Sequence, residues 1–308
     1  MKKVLLTSTS FQDTPGKHQT ELEAQGFELV KLRGPIKEEV LLPIIDQFDG
    51  IICGDDEITE AVIEKGKNGK LRIISKYGIG LDKVNLEAAK KYDIPVTNCP
   101  GVNQVTVAEH VFALILSNYK NIIQEHEFIQ NQSWTRMIGN DVLGKTLGII
   151  GLGSVGKEVA IRAKAFGMNV LAYDKFQDID FTAKHQIHYV NGVNELFTQV
   201  DILSLNAPLN EETHQIVNEQ SLGLLKPDVL IVNTARAGLV DQDAILNAAS
   251  KGTIKAYFTD VLEEEPMIPN HPLLHNPRIV ITPHIGSRTY ENVERQGLMA
   301  VNNLLNHI

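Results

Sequence analysis

Short apolar runs bounded by turn residues alternate along this chain with polar segments of helical period, and that alternation narrows the fold more than any other feature. In the first hundred residues the runs are KKVLLTS, FELVKL, DGIICG, LRIISKYG and IPVTNCP. Strands separated by helices pair in parallel, because parallel neighbours need a crossover and the favoured crossover is a helix. A second series follows: KTLGIIGLG, NVLAYD, IHYV, DILSLNAP, VLIVNTAR, IKAYFTD and RIVITPH. The chain reads as α/β, with two doubly wound parallel sheets of five and seven strands. Its 308 residues suit two domains at roughly 150 residues each.

Between the two series the spacing of Val107, Val111, Leu114, Ile115, Ile122 and Ile123 predicts one long helix from about Val105 to Gln130. Thr106 and Glu109 fit a capping box at its start. A helix of about 25 residues is long for a small domain, which suits a bridge between domains or subunits. The last stretch, from about Thr289, repeats at helical spacing through Val293, Leu298, Ala300 and Leu304; it is too short to stand alone and must pack on one of the two domains.

The net charge of −9 comes from interspersed acids and bases, with no basic stripe for nucleic acid and no polybasic patch for a membrane. No run reaches the ~18 apolar residues of a membrane span, and the N-terminal run before Ser8 is too short for a secretory signal. Cys53 and Cys99 read as small, reduced, buried residues, which points to the cytoplasm.

GLGSVG places Gly151, Gly153 and Gly156 directly after the strand TLGII and before the helical segment KEVAIRAKAFG. In that order the glycines permit a tight turn, close approach of backbone to a pyrophosphate, and close helix–strand packing. Asp174 follows at the end of the next strand, about 20 residues on, where a carboxylate binds ribose hydroxyls. The carboxylate favours NAD over NADP, although Lys175 stands beside it. Further along, Arg236, the acidic cluster Glu263–Glu265 and His284 each follow a strand of the second series. Oxidising an alcohol beside a carboxylate needs a base, a cation and a hydride acceptor, and these residue types supply the first two. His271 and His275, separated by Pro272, read as loop residues rather than a metal pair.

The segments GLGSVG, VNTARAGLVDQDAI, TDVLEEEP and ITPHIGS, in this order, resemble the D-isomer-specific 2-hydroxyacid dehydrogenases over essentially the whole chain. The resemblance implies an Arg236, Glu265 and His284 set. His284 would act as acid or base, Glu265 would hold its ring and raise its pKa, and Arg236 would grip the substrate carboxylate. It also implies cofactor contacts from Thr106, Ser154, Val155, Pro208, Thr213, Thr234, Ala235, Asp260 and Gly286, besides the glycines and Asp174. Ser154 stands where many relatives carry arginine, which removes a cation from the pyrophosphate.

The resemblance further implies that a Rossmann NAD domain, 102–286, is inserted into a flavodoxin-like substrate domain made of 1–101 and 287–308. The crevice between them would be the active site, and the long helix the centre of a homodimer. In KYGIGLD, the Tyr77, Gly78 and Ile79 amides would hold the substrate carboxylate, and Lys76 would meet a second anionic group. With GVNQVTVAEH and SWTR, this passage looks most like the D-3-phosphoglycerate dehydrogenase branch. Hydroxypyruvate or glyoxylate reduction is the nearest alternative, and D-lactate-type activity comes third; from another class, some relatives act as NAD-sensing binding proteins.

Overall fold

The computed structural model describes all residues from Met1 to Ile308 and divides into two compact units, Met1–Asn103 with Arg288–Ile308, and Gln104–Ser287. The first carries β1 (Lys3–Leu6), β2 (Glu28–Lys31), β3 (Gly50–Cys53), β4 (Ile73–Lys76) and β5 (Val96–Thr97). They form one parallel sheet in the order β2-β1-β3-β4-β5. Successive residues of a strand face opposite sides, so a sheet covered on both faces needs apolar residues at every position. Leu5, Ile51 and Ile74 pack on one face with Leu41, Val62, Ile63 and Ala88. Val4, Leu6, Ile52 and Ile73 pack on the other with Phe11, Leu22, Val293, Ala300 and Leu304. The last three of these lie on the C-terminal helix Tyr290–Leu305, which thus belongs to the first unit.

The second unit carries β6 (Thr146–Ile150), β7 (Asn169–Tyr173), β8 (His188–Tyr189), β9 (Ile202–Leu205), β10 (Leu230–Asn233), β11 (Ala256–Thr259) and β12 (Ile279–Ile281). All pair in parallel, in the order β12-β11-β10-β9-β6-β7-β8. The order reverses between β6 and β9, and in such sheets ligands bind beyond the strand C-termini at that reversal. One face is covered by the helices Gln104–Tyr119 and Ser154–Ala165 through Ala108, Val111, Ile115, Val159 and Ala160. The other is covered by Leu196, Phe197, Ile245 and Ala249.

The long helix expected over 105–130 is two helices, Gln104–Tyr119 and Ile122–Gln130. Asn121 lies between them at φ 53°, a left-handed conformation that asparagine tolerates better than most residues. The break is fixed from outside: the Asn140 amide donates to Tyr119 O at 2.8 Å, and Asn121 Nδ2 donates to Ile138 O at 3.3 Å. The first helix also starts at Gln104, so Thr106 lies inside its first turn and makes no capping box with Glu109.

Cys53 and Cys99 are free and buried, and burial pushes their thiols up to about 12 and about 11. No helix is long and apolar enough to cross a membrane. His271 is buried and its Nδ1 accepts from the Leu273 amide, which opens the short turn Pro272–His275.

Candidate active site

At the end of β6 the chain turns through Gly151 at φ 90°, and a Cβ there would lie 2.6 Å from Ala207 N, just beyond β9. Gly156 sits in the first turn of the following helix, where a Cβ would come within 2.1 Å of Gly151 O. Gly153 differs: it caps that helix, and a Cβ there would meet nothing within 4 Å. Two glycines therefore close the strand–turn–helix junction, and the third leaves the helix N-terminus open, with no acidic side chain in its first turn. An open helix N-terminus presents amide donors and partial positive charge to an anion. Ser154 is exposed and Val155 half-buried in the same turn.

Asp174, directly after β7, braces this turn: Oδ2 accepts from the Leu152 amide at 2.6 Å and Oδ1 from the Phe176 amide at 2.8 Å. Lys175 is bound to Glu212, with Nζ–O distances of 2.7 and 3.0 Å, and that hydrogen bond holds the ammonium above its ordinary range. A cation already neutralised is poorly placed to take an extra ribose phosphate, so the neighbourhood of Asp174 suits NAD.

Two buried polar atoms at the same sheet edge have no partner within the chain: Asn206 Oδ1, after β9, and Thr234 Oγ1, after β10. Buried polar groups are almost always hydrogen-bonded, and a dinucleotide carries the donors and acceptors that would satisfy both. Asn206 escaped the sequence reading, although it is the first polar residue after ILSL. Thr213 closes its own loop, donating from Oγ1 to Pro208 O at 2.7 Å; Pro208 stands exposed at the loop's start. Thr106 is buried at 6% exposure.

Arg236, Glu265 and His284 follow β10, β11 and β12, three adjacent parallel strands, and so share the C-terminal edge of one sheet. The Arg236 turn is shaped by Asn233, whose Oδ1 accepts from the Ala235 amide and whose Nδ2 donates to Arg236 O. Arg236 Nη1 also donates to Ala235 O at 2.7 Å. His284 Nδ1 lies 2.7 Å from Glu265 Oε2, and Glu265 Oε1 accepts from the Leu262 amide at 2.9 Å. A carboxylate only accepts, so Nδ1 carries the hydrogen and the ring exchanges protons through Nε2. The histidine backbone is left-handed at φ 53°, a conformation that costs a non-glycine residue roughly 1–3 kcal/mol.

Asp260 holds that conformation in place. Its Oδ1 accepts from Thr282 Oγ1 at 2.5 Å and from the Ile285 amide at 2.9 Å, and its Oδ2 from the Gly286 amide at 2.7 Å. His110 Nε2 lies 3.4 Å from Asp260 Oδ1 and 3.1 Å from Thr282 Oγ1. Burial drives the Asp260 carboxyl upward, yet the bonds from His110, Thr282, Ile285 and Gly286 together outweigh it and hold the group below the ordinary aspartate value. Asp260 and Gly286, taken above as cofactor contacts, thus engage each other across the loop that carries His284. His110 and Thr282 join them, and neither stands out in the sequence.

In the first unit the Tyr77 amide donates to Cys53 O at 2.8 Å, which removes it from the donors expected for a carboxylate. The chain gives the Gly78 and Ile79 amides no backbone acceptor. Lys76 is 3% exposed, and its ammonium is bound to Gly54 O and to the Asp55 carboxylate.

The family model described as "D-isomer specific 2-hydroxyacid dehydrogenase, NAD binding domain" matches residues 112–286, more than half of the chain. The chain belongs to that family. It is an NAD-dependent oxidoreductase of D-2-hydroxy acids. The dehydrogenase is 35% identical over 302 residues to a hydroxypyruvate reductase of Thermotoga maritima, covering 96% of each chain. It is also 35% identical over 299 residues to a D-3-phosphoglycerate dehydrogenase of Methanocaldococcus jannaschii, covering 96% of this chain but 56% of that one. Among solved structures, the TT0316 protein of Thermus thermophilus superposes with a TM-score of 0.89 at 34% identity, over 98% of this chain and 96% of the other.

Proposed function

We propose that this dehydrogenase reduces a small, unphosphorylated 2-oxo acid of the hydroxypyruvate or glyoxylate class, with Arg236, Glu265 and His284 as its working set. The hydride comes from bound NADH, and the chain's own residues handle the proton and the carboxylate. His284 Nε2 delivers a proton to the substrate oxygen as the alcohol forms and removes it in the oxidative direction. Glu265 fixes the ring tautomer through Nδ1 at 2.7 Å. Arg236 offers a planar pair of donors to the substrate carboxylate. The glycine turn, Asn206, Thr234 and Asp174 hold the dinucleotide.

The observation that carries the substrate choice is Lys76. Phosphoglycerate chemistry needs a cation for the phosphate, and the lysine offered for that task is buried against Asp55. NADH oxidation at 340 nm with hydroxypyruvate, glyoxylate, pyruvate, 2-oxoglutarate and phosphohydroxypyruvate tests the reading. A higher kcat/KM for hydroxypyruvate or glyoxylate than for phosphohydroxypyruvate is the expected result; the reverse order returns the chain to the phosphoglycerate branch. No turnover with any acid, despite NADH binding, would favour a sensing role.

The exposed helix Ile122–Gln130 and the segment after it support a homodimer. The helix buries none of its residues, and Ile122, Trp134 and Ile138 stand 58%, 82% and 98% exposed. A cluster of large apolar side chains in water favours a covering partner, and the proposed one is a second copy of this chain. Light scattering should give twice the chain mass, and Trp134→Glu with Ile138→Glu should give the single mass. A wild-type monomer at micromolar concentration removes the idea.

A further inference from the structure

We propose that His110 is a positioning residue for the proton transfer, holding the loop that carries His284 through hydrogen bonds relayed by Thr282 to Asp260; the inference rests on the role of His284 proposed above. All four groups lie in the second unit. β12 is the last strand of its sheet and pairs only with β11, and the chain leaves the unit after Ser287. Residues 282–286 therefore emerge from an edge strand and run directly out of the unit, so flanking strands cannot by themselves give them a shape. Asp260 follows β11 and Thr282 follows β12, and the Thr282 amide donates to Thr259 O at 2.9 Å, which extends the ladder by one residue. The His284 amide in turn donates to Thr282 O at 2.9 Å, so the backbone at Thr282 sets the start of the left-handed turn at the histidine.

Thr282 Oγ1 lies 2.5 Å from Asp260 Oδ1. A carboxylate only accepts, so the hydroxyl hydrogen is committed to Asp260 and the oxygen keeps lone pairs alone for its other contact. That contact is His110 Nε2 at 3.1 Å, which must then be the donor. The hydrogens run one way, from His110 to Thr282 to Asp260, and bonds chained in this manner polarise and strengthen one another. The ring also borders the loop at a second point: a Cβ at Gly286 would lie 3.5 Å from His110 Cδ2. His110 projects from the helix Gln104–Tyr119, which packs on the sheet through Ala108, Val111 and Ile115. A rigid element thus lends its order to a loop that has little of its own.

The test compares substitutions at positions 110 and 282, using the 2-oxo acid that the wild type reduces best, with NADH affinity measured separately by fluorescence titration. His110→Gln sets an amide nitrogen as many bonds from Cβ as Nε2, His110→Asn sets it one bond nearer, and His110→Leu keeps the volume without a donor. His110→Gln should keep kcat within about twofold of the wild type, whereas His110→Asn and His110→Leu should lower it about tenfold, the kind of loss that slight misplacement of a reacting group brings. KM for the acid and NADH affinity should change far less than kcat. Thr282→Val should reproduce the loss, and adding His110→Leu to it should lower kcat no further, as two members of one network require. Equal losses for His110→Gln and His110→Asn, a loss confined to KM or to NADH affinity, or losses that multiply in the double variant overturn the proposal. A role in packing alone would leave leucine as good as glutamine. His284→Ala judges the histidine's own role, and the contrast between glutamine and leucine at position 110 judges its support, so the two fail separately.

Discussion

His284→Ala should lower kcat by roughly 10²–10⁴-fold, the range that a positioned general acid or base supplies, while NADH binding stays near the wild-type level. The ring is held on both sides: Glu265 meets Nδ1, and the loop amides of Ile285 and Gly286 are tied to Asp260. Removing it takes away the proton donor and leaves the glycine turn, 128 residues upstream of it at Gly156, untouched. Glu265→Gln should cost less, because the amide oxygen can still accept from Nδ1, although the charge and the bond from the Leu262 amide are lost. Stopped-flow turnover at saturating NADH, with cofactor affinity measured by fluorescence titration, separates the two effects. Turnover within a few-fold of the wild type in His284→Ala would remove the assignment.

Gly156→Ala and Gly153→Ala should part company. At position 156 the new Cβ meets backbone at 2.1 Å, so the helix must move away from β6. Overpacking of this kind costs about 3 kcal/mol, which for a unit of this size lowers the melting temperature by roughly 10 °C. NADH affinity falls with it, because the turn opens. At position 153 the new Cβ has open space, and the backbone there is extended, so the melting temperature should stay within a degree or two. The methyl nonetheless stands at the helix N-terminus where a pyrophosphate would approach, and NADH affinity should drop at least tenfold, about 1.4 kcal/mol. Calorimetry and titration on the two variants decide the matter. Equal losses of stability would mean that all three glycines serve folding alone.

The sheets were legible because both are buried on two faces, so their strands stand out as unbroken apolar runs such as TLGII and LIV. The cofactor turn was legible because its requirements are local: strand, glycines, helix and a carboxylate at the next strand end lie within one crossover unit. What escaped depends on partners distant in sequence. The break at Asn121 is imposed by residues 138–140 crossing the helix end, and periodicity cannot register a contact from outside the window. Lys76 has the same sequence neighbours whether its ammonium is open or closed; Asp55, on the adjacent strand's loop, makes the difference. Asp260 reads as a strand-end acid available to a ligand, yet its acceptors are filled by groups from positions 282, 285 and 286, with His110 beside them. Arg236, Glu265 and His284 were legible individually, but spacing alone could not distinguish them from ordinary surface side chains; the ordered motifs around them did.

The carboxylate beneath the histidine loop also gives the enzyme a distinct point of failure in strong acid. A group held below its ordinary value contributes stability that is complete above the unfolded-chain value and fades only as pH falls through the folded one. Asp260 therefore stays ionised throughout the neutral range. Loss in strong acid belongs to the anchor: once Asp260 is protonated, the amides of Ile285 and Gly286 lose their charged acceptor, and the left-handed turn at His284 loses what holds it.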